Sequence, residues 1–318
     1  MPKPLQCPAE LLTLDLAGRT YVVTGGNSGI GFETVRQLVK QGAKVVLACR
    51  RVVEGEKAKQ LILSEGPRGF IEVLELDLAH LESVRAFAKS ILGSHNSIHG
   101  LVNNAGIMNT PKGKTRDGFE LQLGTNHLGH YLLTELLLPA LKNGAPSRVV
   151  NVSSCFHDKA FGREGKVDFD DLQFERKKYD GWEAYAQSKL ANLLHAKHLA
   201  KRLIGTGITT ASVHPGWVRS NLIKFSMPVW MQDTILKPVL KMAGMIEPWQ
   251  GAQSSLYALL SPEAASRSGA YFSQVGIYRD KKSAKGGWPM ESPNPNAHDS
   301  ACAERLDSIS RALVGLTP

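Results

Sequence analysis

A tyrosine and a lysine, Tyr185 and Lys189, lie four residues apart in a stretch from about Trp182 to Ile204 whose pattern predicts a helix. Residues so spaced share one helix face. A phenol with a pKa near ~10 is a poor base at neutral pH, but a nearby ammonium favours its anion, each tenfold gain in acidity being worth ~1.4 kcal/mol. Tyr185 would then donate and accept a proton, whereas on an ordinary surface helix the same spacing is decoration. Ser154 closes the apolar run PSRVVNVSS. At the carboxyl edge of a strand its hydroxyl would stabilise charge developing on a substrate oxygen. Ser153 points to the opposite face if the strand persists, and a slip in register would exchange the two. Asn126 falls in the helical pattern at 119–141. An amide there must satisfy its polar atoms locally or serve elsewhere, and a bent helix holding a water is one such use.

A second group of residues suits a phosphate rather than a proton. The stretch TGGNSGIG, residues 24–31, carries glycines at 25, 29 and 31 directly after a β-rich run and before a helical one. Glycines there let the chain turn sharply and let a pyrophosphate reach the unpaired N–H groups of the helix. Gly25 would make the turn, Gly29 the close approach and Gly31 the tight packing of helix on strand, with Asn27 and Ser28 as a polar rim and Ile30 between. A tight turn without ligand is the plainer reading. The next apolar run ends ACRR, placing Cys49 and Arg50 where an acidic residue would hold the adenine ribose of NAD. A guanidinium suits a 2′-phosphate, so NADP(H) is favoured, unless Arg50 and Arg51 merely solubilise the strand end.

The elements that position these groups alternate. The runs RTYVVTGG, AKVVLACRR, FIEVLELDL, IHGLVNNAG, PSRVVNVSS and GITTASVHPG read as strands, separated by helical patterns. Six such units imply an α/β protein with a single doubly wound parallel sheet and helices on both faces. One domain is expected over 1–318, its core at about 18–275, with 279–318 forming an exposed loop and a final helix. A polar, charge-rich excursion, roughly 156–181, interrupts the alternation.

Composition narrows the partners. The net charge of +9 comes from scattered basic residues, which reads as a solvated surface and disfavours nucleic acid. Cysteines at 7, 49, 155 and 302 have neither disulfide nor metal spacing, so no metal site is expected. No signal peptide and no spanning apolar run is seen, which places the chain in the cytoplasm or peripherally on an intracellular membrane. Oligomeric state is not encoded legibly.

Taken together, TGGNSGIG, NNAG at 103–106 and YAQSK at 185–189 resemble the short-chain dehydrogenase/reductase superfamily over about residues 18–275. Longer strings, among them NHLGHYLLT, RVVNVSS and VHPGWVRSNL, are similar to its retinol dehydrogenase branch. The resemblance implies that Tyr185 is the acid/base, that Lys189 binds the nicotinamide ribose and that Asn126 links Lys189 through water to solvent. It further implies that Asp77 accepts the adenine amino group and Leu78 offers backbone contacts, although Asp77 as a helix N-cap competes. Asn103 would brace the sheet, while Ala105 and Gly106 leave room for the cofactor. Pro215 and Gly216 would turn over the nicotinamide, with Ser220 or Val218 standing where many members have threonine. The step of 31 from Ser154 to Tyr185 exceeds the family's usual spacing, a charged insertion taking up the excess.

In the family's position for a substrate lid, residues 227–246 place Ile235, Leu236, Val239, Leu240 and Ala243 on one side if helical, with Asp233, Lys237 and Lys241 opposite. An apolar lining implies a lipophilic substrate, and the lysines with Trp230 would also let the lid rest on an anionic membrane. The expected activity is interconversion of a lipophilic aldehyde or ketone and its alcohol, retinal favoured. Steroid or lipid-derived carbonyls are the runner-up, and a non-catalytic NADP(H)-binding regulator or a membrane-surface scaffold the readings of another class.

Overall fold

The computed structural model describes residues 3–218 and 245–317. Its centre is β1 (Thr20–Thr24), flanked in parallel by β2 (Lys44–Cys49) on one side and β4 (Gly100–Asn103) on the other. With β3 (Phe70–Glu75), β5 (Ser147–Val152), β8 (Ile208–His214) and β9 (Ala270–Ser273), they make a seven-stranded parallel sheet ordered β3-β2-β1-β4-β5-β8-β9. The strand order reverses between β1 and β4, which opens a crevice at their carboxyl ends. Two short strands, β6 (Lys159–Ala160) and β7 (Arg163–Glu164), form a separate hairpin. Six strands were expected, and β9 is the seventh.

Buried on both faces, the strands are apolar throughout, and their period of two divides the core. Val22, Val46, Leu101 and Val149 face one layer. It is built by α3 (Leu81–Ser94), α5 (Gly129–Asn143), α6 (Gly181–Arg202) and the final helix α9 (Ser300–Leu313). Val23, Val45, Leu47, Val102 and Val150 face the other. There lie α1 (Gly29–Lys40), α2 (Val52–Leu63) and α7 (Pro248–Leu260), the last followed by the short α8 (Pro262–Ser266).

The long helix expected at 119–141 is broken into three pieces. One turn, α4 (Leu121–Leu123), runs into a π-helical segment at Gly124–Leu128 and then into α5. The wider π turn spans Asn126, and in such a turn a side chain can take over backbone groups that a regular α-helix would pair. Asp180 caps α6, accepting from the backbone N–H of Trp182 at 2.9 Å and Glu183 at 3.2 Å, so the helix begins one residue before the expected start.

Candidate active site

The carboxyl end of β5 and the first turns of α6 bring Ser154, Tyr185 and Lys189 together. The Ser154 side chain lies beside the Tyr185 hydroxyl, close enough to favour its charged form, and the Lys189 ammonium lies 5.6 Å from the centre of the tyrosine ring. All three are buried, and Lys189 donates to the Val152 carbonyl at 2.9 Å. Burial disfavours each charged form: it pushes the phenol well above its ordinary range, against a smaller pull down from Ser154, and brings the lysine down to about 8. The expected lowering of Tyr185 by Lys189 is not seen: desolvation sets the direction, and the downward pull comes from Ser154. Ser153 faces away, its hydroxyl donating to the Lys189 carbonyl at 2.7 Å.

Asn126 sits in the π segment with its amide committed. Its Oδ1 accepts from the Ile107 N–H at 2.9 Å, and its Nδ2 donates to the Ile107 carbonyl and the Ser188 hydroxyl, each at 2.9 Å. Gly106 is wedged between Asn126 and Lys189: a Cβ there would stand 3.2 Å from Asn126 Oδ1 and 3.4 Å from Lys189 Nζ. The Asn126 carbonyl takes the Nδ1 proton of His130 at 2.9 Å. Burial lowers His130 to about 3, so its ring is neutral and Nε2 accepts from the Thr24 hydroxyl at 2.8 Å. Thr24 Oγ1 in turn accepts from the N–H groups of Asn104 at 2.9 Å and Ala105 at 3.0 Å. One threonine thus ties the glycine turn, the end of β4 and the helix of Asn126. Sequence reasoning passed over Thr24, Asn104 and His130, although all three stand inside the quoted motifs.

The glycine turn runs from β1 into α1. Gly25 and Gly29 adopt φ of 65° and 56°, the left-handed region. A Cβ on Gly31 would lie 2.3 Å from the Gly25 carbonyl, so this glycine packs the helix onto the turn itself rather than onto a strand. Ser28 is the N-cap residue but its side chain makes no cap bond, and no acidic residue occupies the first turn. Asn27 and Ser28 lie at the rim, half-buried and exposed respectively. Ile30 leans toward Gly251 of α7, where Val218 and the Pro215 carbonyl also converge. Arg50 is exposed past the end of β2, with no hydrogen bond or ion pair among the described residues.

The other expected contacts are distributed around the same crevice. Asp77 accepts from the Ala79 N–H at 3.0 Å in a local turn, and His80, not Asp77, is the N-cap residue of α3. The competing cap role is therefore not realised. Leu78 is buried with its carbonyl against Gly129. Asn103 points into the layer beneath, donating to Thr134 Oγ1 at 2.9 Å and Asn151 Oδ1 at 2.8 Å, so its side chain braces β4 against β5 and α5. Ala105 abuts Gly25. Pro215, Gly216 and buried Val218 follow β8, Val218 bridging to Ile246. Ser220 and all but the last two residues of the expected lid at 227–246 lie outside the described residues.

His157 and Ser292 were not anticipated. His157 Nδ1 bonds the Ser154 carbonyl and its Nε2 bonds the Ser292 hydroxyl at 2.7 Å, which anchors the serine loop to the C-terminal tail. Burial lowers His157 to about 4, so this bridge is neutral.

Residues 19–163 match the family model for short chain dehydrogenase. Human retinol dehydrogenase 12 is 44% identical over 303 residues, covering 95% of this chain and 88% of that protein. The chain belongs to the short-chain dehydrogenase family. Human retinol dehydrogenase 13 is 39% identical, covering 98% and 88%. An uncharacterised protein of Mycobacterium paratuberculosis superposes with a TM-score of 0.75 at 34% identity, covering 98% of each chain. The NADP complex of Pseudomonas aeruginosa RhlG, at 23% identity, TM-score 0.64 and coverage of 84% and 97%, shares the fold.

This short-chain dehydrogenase is therefore a retinol dehydrogenase-like oxidoreductase, and membership of that family supports a nicotinamide cofactor. Its residues fit that group: the uncapped N–H groups of α1 suit a pyrophosphate, and Gly106 keeps the floor between Asn126 and Lys189 clear of any Cβ. No described helix is long and apolar enough to cross a membrane.

Proposed function

We propose that this protein interconverts a lipophilic aldehyde or ketone and its alcohol with NADP(H), retinal and retinol being the favoured pair. The observation that carries the reading is the buried contact of the Tyr185 phenol with Ser154 beside Lys189. A carbonyl oxygen placed between the two hydroxyls would accept a hydrogen bond from each. Ser154 orients that oxygen and stabilises the charge growing on it, and Tyr185 delivers the proton that completes the alcohol. The bound nicotinamide supplies the hydride in reduction and accepts it in oxidation.

Lys189, brought down to about 8, exchanges its own proton near neutral pH and can refill Tyr185. Asn126 holds the Ile107 backbone by its amide, and the likeness to the family supports its linking Lys189 through water to solvent. NADP(H) over NAD(H) is supported by Arg50, a guanidinium without a partner among the described residues, where a ribose-binding carboxylate would otherwise stand. The lipophilic substrate is supported by the likeness to retinol dehydrogenases 12 and 13. Following NADPH and NADH consumption separately, with retinal, a steroid ketone and a lipid-derived aldehyde, tests it. The reading expects NADPH to be preferred and retinal to be reduced; consumption of neither nucleotide with any carbonyl would overturn it.

A further inference from the structure

The insertion between Ser154 and α6 carries aromatic side chains that the proton chemistry does not use. β6 and β7 are joined by a two-residue turn, Phe161-Gly162, both with positive φ, 46° and 92°. Such hairpin turns favour Asn, Asp or Gly at the first position, and a bulky residue there is an outlier. Phe161 is not placed there to fill a core, since it is 62% exposed. A strained, exposed aromatic is a mark of function when its surroundings hold it in place.

They do. Arg163 donates to the Phe161 carbonyl at 2.8 Å and to the Asp180 carboxylate at 2.8 Å, and Asp180 is the N-cap of α6. The turn is so clamped to the first turn of the helix that bears Tyr185. The Phe161 ring lies 4.6 Å from Trp182 and 5.3 Å from Phe156. Phe156 meets Trp182 edge-on at 5.5 Å and Tyr185 edge-on at 6.2 Å. The result is an unbroken aromatic path from solvent at Phe161 to the phenol at Tyr185.

We propose that Phe161, Trp182 and Phe156 form the wall along which the apolar tail of the substrate lies, and that this wall selects flat, unsaturated or aromatic tails over saturated chains of equal length. The proposal rests on the carbonyl-reductase reading of Tyr185. Continuity with Tyr185 names the occupant: a molecule whose carbonyl reaches the phenol must send its tail past these rings or away from them. Offset and edge-on contacts between π faces favour a flat tail beyond what area alone provides.

The test uses the full chain with NADPH and three aldehydes: propanal, decanal and 2,4-decadienal. Phe161→Asn installs a residue the turn prefers, and Phe161→Leu keeps apolar bulk without a π face. In Phe161→Asn the ratio of kcat/KM for decadienal to that for propanal is expected to fall about tenfold, through KM, with the thermal midpoint unchanged or raised. Phe161→Leu is expected to lower the decadienal-to-decanal ratio while leaving the decanal-to-propanal ratio largely intact. Unchanged ratios in both variants would overturn the proposal, as would loss of sedimentation with phosphatidylcholine–phosphatidylserine vesicles while the ratios hold, which would make the patch a membrane contact. Reduction of propanal by the wild type keeps the reading of the site standing whatever becomes of the wall; reduction of no aldehyde removes both.

Discussion

Acid should unfold this protein steeply, because it buries five histidines in neutral form. Burial lowers His127 and His157 to about 4, His130 and His214 to about 3, and His195 well below the ordinary 6.5. In the unfolded chain each charges near pH 6.5, so below that pH the unfolded state binds more protons. Their contribution is complete above about 6.5 and is lost as pH falls toward the folded values. With ~1.4 kcal/mol per proton per pH unit, five groups give a slope approaching ~7 kcal/mol per unit. Glu120 and Asp158, raised by burial, pull the other way but number only two and act nearer the carboxylate range. Against a domain stability of ~5–15 kcal/mol, the fold should be lost within roughly two units below pH 6.5. Urea unfolding of wild type and His130→Phe from pH 7.5 to 5.0 measures the slope. The variant should be weaker by about 2–4 kcal/mol at pH 7.5, since Thr24 and the Asn126 carbonyl each lose a buried partner. Its slope should be shallower by ~1.4 kcal/mol per unit, so the two curves converge in acid. A wild-type slope no greater than one histidine supplies, or parallel curves, would refute the reasoning.

Ser154→Ala should lower kcat by roughly 10²–10³ with little change in NADPH affinity, as for loss of an oxyanion donor, whereas Ser153→Ala should mainly cost about 1 kcal/mol of stability by freeing the Lys189 carbonyl. Steady-state rates and urea midpoints on both variants separate the two serines. Arg50→Glu should weaken NADPH by about tenfold or more and narrow or invert the preference over NADH, read by fluorescence titration of both nucleotides. Thr24→Val combined with His130→Phe should cost less than the sum of the single changes by about 1 kcal/mol, because the second change no longer breaks a bond; additive costs would deny the link.

Features carried by local spacing were legible in the sequence. The alternation of apolar runs announced the parallel sheet, the glycines before α1 announced its turn, and the four-residue interval announced the shared face of Tyr185 and Lys189. Features that depend on distant partners were not. Thr24 meets His130 across 106 positions and His157 meets Ser292 across 135, and no local pattern encodes either bond. Propensity read the run at 119–141 as one long helix with a bend at Asn126 as one use of its amide; that the helix opens there into a π turn, with the Ile107 backbone on the Asn126 amide, is not encoded locally. The upward shift of Tyr185 was not foreseen because burial, which sequence does not display, sets its direction. The Phe161 turn escaped notice since a phenylalanine is the opposite of a turn signal.

The central claim is that Tyr185 delivers the proton to a carbonyl held by Ser154. Its most direct test is a single turnover of NADPH-loaded Tyr185→Phe with excess retinal, followed at the nicotinamide absorbance beside the wild type. The account predicts that the variant binds NADPH with near wild-type affinity and oxidises it at least a thousandfold more slowly, an outcome of order ~4 kcal/mol in the barrier. Oxidation at a rate close to wild type would contradict it.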